Sequence, residues 1–347
     1  MLRTTGTSGD RIDALARQKV AVLVPCFNEE AAISRVVGDF RAALPDAEIY
    51  VYDNNSTDGT AEAARRAGAV VRRERQQGKG HVVRRMFSDV EADIYVLVDG
   101  DATYDAPSVR QMVALLIEER LDMVVAARVS QDADAYRAGH RLGNRLLSGF
   151  VGHVFGRTFS DMLSGYRVLS RRFVKSFPVL SGGFEIETEL TIHALELGLP
   201  VAEVKTPYYA RPAGSTSKLR TWHDGIRILW TILKLYRSER PLPFFTGIGV
   251  ALAAVSVGLG TPVVLTFLRE GVVPRLPTAV LAMGLMLLAF LSIASGLVLD
   301  TVTRGRREMK FLAYLAQRAL SDESGKSLPD ESGKRLRSRR ARARAHQ

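Results

Sequence analysis

Cysteine is almost absent: the chain has one, Cys26, in 347 residues. An internal disulfide is therefore excluded, which suits a reducing compartment. With no histidine partner nearby, Cys26 is not expected to act as a nucleophile. His81, His153 and His193 stand at no metal-ligand spacing. The chain has no Gly-x-x-x-x-Gly-Lys-Ser/Thr and no Gly-x-Gly-x-x-Gly run, so neither a P-loop nor a dinucleotide site is expected. No recognition helix, zinc finger or RNA-binding signature is present. The net charge of +11 is uneven: Thr301–Gln347 holds 13 basic and 5 acidic residues, leaving the first 300 residues at +3. The basic excess thus belongs to the end of the chain, and no nucleic-acid partner is expected. Residues 318–347 read as a basic disordered tail with weak attraction to anionic lipid, and residues 1–18 as a flexible leading segment. No apolar core of signal-peptide type precedes the first strand.

What the chain does have is two long uncharged runs, Phe244–Leu268 and Leu276–Leu299, of 25 and 24 residues. Each exceeds the roughly 20 apolar residues that cross a bilayer core, so two transmembrane helices are expected at 244–268 and 276–299. Pro262 is tolerable in such a helix. Basic residues crowd the outer flanks: Arg227, Lys234, Arg237 and Arg240 before, Arg304, Arg306, Arg307 and Lys310 after. By the positive-inside rule the first 240 residues and both termini are expected in the cytoplasm, in a multi-pass inner-membrane protein. Within 220–243, Trp222, Ile226, Leu229, Trp230, Leu233 and Tyr236 recur at helical spacing, the pattern of an interfacial amphipathic helix. The spans also leave room for oligomerisation.

Residues 19–219 alternate strand and helix patterns. Short apolar runs at Lys19–Val24, Ile49–Tyr52, Ala69–Val71, Ile94–Val98 and Met123–Ala127 are separated by helical patterns at βαβ spacing. An α/β fold with a doubly wound, mostly parallel sheet follows. Its polar residues gather at strand ends: Asn28 and Glu29, then Asp53, then Asp99-Gly100-Asp101. Ends of parallel strands share one edge, where ligands bind in open α/β sheets. Two carboxylates around one glycine can hold a hard divalent cation, or simply make a turn. Gly78 and Gly80 flank Lys79 and could let backbone approach a phosphate. Glu185, Glu187 and Glu189 make a third acidic group, read as a functional cluster or as a charged helix face, with Glu185 and Glu189 on one side.

Five ordered motifs carry a resemblance. They are Val24-Pro25-Cys26-Phe27-Asn28-Glu29, Asp53-Asn54-Asn55-Ser56-Thr57-Asp58-Gly59-Thr60, Asp99-Gly100-Asp101, Ser160-Asp161-Met162-Leu163-Ser164-Gly165-Tyr166-Arg167, and Gly214-Ser215-Thr216-Ser217-Lys218-Leu219. Over about Lys19–Leu219 the chain resembles family-2 glycosyltransferases of the GT-A fold, in particular the membrane-tethered polyprenyl-phosphate sugar transferases. The resemblance implies a GT-A-type sheet followed by the amphipathic and transmembrane helices. It also implies transfer of a hexose, with inversion, from a UDP- or GDP-linked sugar to a polyprenyl phosphate, with Mg²⁺ or Mn²⁺ as cofactor. It assigns Pro25, Asn28, Glu29, Asp53, Lys79, Asp99, Arg211 and Lys218 to the donor and Asp101, beside Asp99, to the metal. Arg141, Ser164 and Arg167 fall to the acceptor, with Asp99, Asp101, Arg141 and Arg167 as catalytic residues. Asp161, Glu185 and Glu187 remain for a base or a sugar contact. The family often has a second Asp where this chain has Asn54. A lipid-hydroxyl or polysaccharide acceptor, and an inactive membrane-anchored scaffold, are the other readings. A processive synthase would carry Gln-x-x-Arg-Trp and more spans, and neither is present.

Overall fold

Strand β1 (Val20–Cys26) is apolar throughout because both its faces are covered. Val22 and Val24 point into one core and Ala21 and Leu23 into the other. The computed structural model describes residues 18–130, 149, 152, 159–179, 181–183, 185–211, 233–234 and 236–317. Among these, β1 pairs in parallel with β2 (Glu48–Asp53) and β4 (Ile94–Leu97), and β2 with β3 (Val70–Arg73). Strand β5 (Met123–Ser130) pairs in parallel with β7 (Val201–Tyr208). Between the two groups lies β6 (Arg167–Ser170), antiparallel to both β4 and β5. The seven-stranded order is β3-β2-β1-β4-β6-β5-β7, a mostly parallel sheet.

Helices α1 (Glu30–Ala43) and α4 (Ser108–Glu118) cover one face through Ile33, Val36, Phe40, Val109 and Met112. Helices α3 (Lys79–Asp89), α5 (Arg171–Ser176) and α6 (Ile186–Glu196) cover the other through Val82, Met86, Phe173, Val174 and Leu190. Ahead of α2 (Thr60–Arg66), Asp58 Oδ1 accepts from Thr60 N at 3.0 Å, although Gly59 holds the cap position. His193 packs between the rings of Phe173 and Phe177, and burial pushes its pKa down to about 3.

Helices α7 (Pro241–Glu270) and α8 (Leu276–Leu315) are long and apolar enough to cross a membrane. They pack on small residues: Gly249, Ser256 and Val263 on one side, Ala282, Ala289 and Gly296 on the other. That seven-residue spacing keeps one seam facing the partner helix. Two side chains tie the pair, Ser256 Oγ donating to Ala282 O (2.6 Å) and Ser292 Oγ to Phe245 O (2.8 Å). Helix α8 does not stop at Leu299. It runs on to the sheet domain, where Lys310 Nζ meets Glu196 Oε2 at 2.6 Å and Tyr314 OH donates to buried Asp122 at 2.8 Å. The Arg172 guanidinium lies over the Tyr314 ring. Of the amphipathic segment, Leu233, Lys234 and residues 236–239 are helical and residues 241–243 open α7; residues 220–232 and 235, the leading residues 1–17 and the basic tail lie outside the described residues.

Candidate active site

Successive strands are added to one side of β1 as far as β3 and then to its other side from β4, so a crevice opens beyond the carboxyl ends of β1 and β4 where the strand order switches. Cys26 and Asp53 stand side by side at the ends of β1 and β2. Asp99 and Asp101 follow β4 on the other side of the switch. Gly100 lets these ends come together: a Cβ there would lie 2.5 Å from Cys26 Sγ. Gly100→Ala is therefore expected to displace the acid pair and cost about tenfold or more in activity, by forced overpacking. Adding Cys26→Ala should recover most of it, because the clashing sulfur is gone. Activity assays of the single and double variants check this.

Asp99 is approached from two sides. A Cβ on Gly165 would fall 2.3 Å from Asp99 Oδ2, so the motif glycine backs directly onto the carboxylate. Lys79 Nζ donates to Asp99 Oδ1 at 2.5 Å and also to Glu187 Oε1 in the first turn of α6. Burial would lower the Lys79 pKa, but the two carboxylates outweigh it and hold the ammonium above its ordinary value. Gly78 and Gly80 serve this arrangement in an unexpected way. They let the chain pass against the Ser181 and Gly182 carbonyls, where a Cβ would come within 2.1 Å.

Asp101 is 5 % exposed. Its Oδ1 accepts from Thr103 Oγ1 at 2.6 Å and its Oδ2 pairs with Arg211 at 2.8 Å. Burial, followed by the charge of Asp99, raises its pKa, and Thr103 and Arg211 oppose the rise. Ala102 between them has φ 56°, a left-handed conformation uncommon without glycine, and this turn brings Thr103 back onto Asp101.

The other expected donor residues divide by role. Asn28, at φ 55°, accepts from Thr57 N at 2.8 Å, and its own N–H donates to Ser56 Oγ, so it ties the loops after β1 and β2. Glu29 N donates to Thr60 Oγ1, and the residue is buried. Pro25 pairs with Tyr52 within the sheet. Asp53 is buried at the strand end and accepts from Ser56 N at 3.2 Å.

On the expected acceptor side, Arg141 and Lys218 lie outside the described residues. Arg167 does not fit the role its motif suggests. It opens β6 fully buried, with its guanidinium spent on Ser164 O (3.0 Å), Met162 O (2.7 Å) and Thr191 Oγ1 (2.9 Å). Burial pushes its pKa down to about 10, a cost of sinking the guanidinium into the core. Arg167→Lys is expected to strand those carbonyls and lower stability by about 1–3 kcal/mol, read as a lower melting temperature. An unchanged melting temperature with a raised acceptor KM would return Arg167 to the acceptor. Asp161 is likewise committed: Arg128 grips it with Nε at 2.6 Å and Nη2 at 2.8 Å. Ser164 is buried beside it in sequence, with Oγ accepting from Tyr166 N. Glu185 stands at the cap position of α6, with its carbonyl accepting from Glu189 N at 2.9 Å, one helical turn on; Glu189 itself accepts from Ser181 N and Oγ.

Residues 21–177 match the Glycosyl transferase family 2 profile. Glycosyltransferase AglJ of Haloferax volcanii is 33% identical over 287 residues, covering 81% of this chain and 94% of its own. The chain belongs to glycosyl transferase family 2. A dolichyl-phosphate hexose transferase of the same organism is 30% identical, over 64% of this chain and 95% of its own length. Glucosyl-3-phosphoglycerate synthase from Mycobacterium tuberculosis, solved with Mn²⁺, UDP and phosphoglyceric acid, superposes with a TM-score of 0.53 and 25% identity, over 68% of this chain and 83% of that one. The family-2 domain here thus has the GT-A fold, and its strand-end acids fall where the strand order of that sheet switches.

Sequence reasoning missed two residues of this family-2 site, Thr103 and Arg128, which announce themselves only through partners, Asp101 and Asp161. Asn54, noted in the sequence only as a departure from the family, is buried, donates to the Glu74 and Gln76 carbonyls (3.1 and 2.8 Å) and accepts from Gly78 N (2.7 Å).

Proposed function

We propose that this glycosyltransferase is inverting and moves a hexose from a UDP- or GDP-linked sugar to a polyprenyl phosphate at the cytoplasmic face of the inner membrane. One observation carries the reading: Asp99 and Asp101 lie at the switch point of a domain onto which α8 runs directly from an apolar span. The relative named for dolichyl-phosphate hexose transfer supports the acceptor class.

A divalent ion suits Asp101, a hard oxygen donor held rigid by Thr103. Among the described residues no group of three His, Cys, Asp or Glu could hold a metal alone, which suits an ion shared with a diphosphate. Mg²⁺ or Mn²⁺ there would neutralise charge on the departing diphosphate, a Lewis-acid role. This chain's own residues do the rest. Arg211, already beside Asp101, is the cation placed to meet a diphosphate, and a guanidinium suits phosphate oxygens. Asp53 faces the base side of the crevice, and Lys79 holds Asp99 against Glu187 so that the carboxylate keeps one orientation toward the sugar.

Two of the three candidate bases are engaged by cations, Asp161 by Arg128 and Glu187 by Lys79, which leaves Glu185 as the candidate for a hydroxyl acceptor and supports a phosphate acceptor. A phosphate oxygen is already ionised at neutral pH and needs none; it needs placement in line with the bond to be broken.

The test is detergent-solubilised protein with radiolabelled UDP- and GDP-sugars and polyprenyl phosphate. A lipid-linked sugar of anomeric configuration opposite to the donor's is expected. Product only with a lipid hydroxyl would overturn the acceptor assignment. No consumption of any donor would favour the inactive scaffold.

A further inference from the structure

The loop between β3 and α3 has no regular structure of its own, yet it must deliver Lys79 to Asp99. The side chain that makes most of the bonds to its backbone is that of Asn54. Asn54 is 4 % exposed and makes three hydrogen bonds to this loop, two as donor to the Glu74 and Gln76 carbonyls and one as acceptor from Gly78 N. Asn55 adds a more exposed bond, Nδ2 to the Arg75 carbonyl at 2.9 Å. Gly78 is the residue immediately before Lys79, so the last Asn54 bond fixes the point from which the lysine side chain departs.

We infer that Asn54 is a positioning residue for donor use: it sets the 74–78 loop and, through Gly78, the reach of Lys79 to Asp99 and Glu187. The inference rests on the donor reading of Lys79 and Asp99 given above. In this chain the two carbonyl partners and the one N–H partner match an amide. A carboxylate has the same shape but accepts only, and would set negative charge against two carbonyl oxygens that now receive N–H bonds. The same substitution would put a second acid beside Asp53. A neighbouring strand end thus acts on the donor side through the loop it holds.

Asn54→Asp and Asn54→Ala separate this role from simple packing. If Asn54 only filled space, the isosteric Asp would be mild and Ala the worse. If it positions by donating, Asp is the worse. The expected result for Asn54→Asp is a donor KM raised about tenfold or more, with kcat and acceptor KM changed far less, and a smaller rise for Asn54→Ala. Trypsin gives a readout without activity: cleavage after exposed Arg75 in the loop should speed up in the order wild type, Ala, Asp. Donor KM unmoved in Asn54→Asp, or Ala worse than Asp in both assays, overturns the positioning role. Wild-type protein that consumes no nucleotide sugar overturns the reading beneath it instead, which the wild-type lane of the same assay reports.

Discussion

Asp101→Asn is expected to lower transfer by about a thousandfold or more, the scale of losing a buried charge aimed at a leaving group. The substitution keeps shape and keeps one oxygen for Thr103 Oγ1, now at 2.6 Å. It removes the charge that pairs with Arg211 and the anionic oxygen that a hard cation prefers. The fold should hold, because Asp101 sits at the end of β4 and outside the two apolar cores. Two measurements check the expectation. Calorimetric titration of nucleoside diphosphate with Mn²⁺ should show weakened, metal-insensitive binding in the variant, and chelator should abolish wild-type transfer. Full activity in Asp101→Asn, or wild-type activity undiminished by chelator, would remove the metal from the mechanism.

Lys79→Met should damage both stability and activity. Lys79 is 10 % exposed at its side chain and lies between two carboxylates, Asp99 and Glu187. Removing it leaves two acids facing each other in a desolvated place, with about 3 kcal/mol or more lost, as when one partner of a buried ion pair is deleted. A melting temperature lower by roughly 5–10 °C is expected, with transfer reduced about a hundredfold. Glu187→Gln, which leaves Lys79 paired with Asp99, should be milder on both counts. The sign of the pH dependence follows from the raised lysine pKa. The ion-pair contribution is fully present below the ordinary lysine value of 10.5 and is lost only as pH rises through the higher folded value. Alkaline unfolding should therefore begin earlier in Lys79→Met than in wild type. An unchanged melting temperature would show that Lys79 bridges nothing and acts on the donor alone.

The parts of this fold that are legible in the sequence are those written locally. The strand at Ile94–Leu97 and the acids that follow it are a sharp boundary between apolar and charged residues, and such boundaries mark where a buried strand must stop. The helix at Thr60–Arg66 announces itself by turn residues ahead of it. Strand β6 is another matter. Four residues beginning with arginine look like a surface segment, and only the Ser164, Met162 and Thr191 partners make its burial tolerable. The motif around Ser164 and Gly165 does reach the site, but through the backbone of Gly165 rather than the charge of Arg167. The Lys79–Glu187 pair spans 108 residues, so no local spacing encodes it. The role of Asn54 is hidden for a different reason: the side chain binds backbone carbonyls, which every residue type offers alike, so its partners leave no trace in the sequence.

Helix α8 is 40 unbroken residues, about 60 Å at 1.5 Å per residue. A bilayer core takes up about half of that length. The remainder ends on Asp122, Arg172 and Glu196, on the sheet domain itself. A connection of this kind transmits torque, as a flexible linker does not. The domain then cannot swing independently of the apolar pair, and on the proposed membrane reading its crevice would stay at one height and one heading above the lipid. An acceptor confined to two dimensions would meet that crevice by sliding rather than by tumbling, and the search is reduced accordingly.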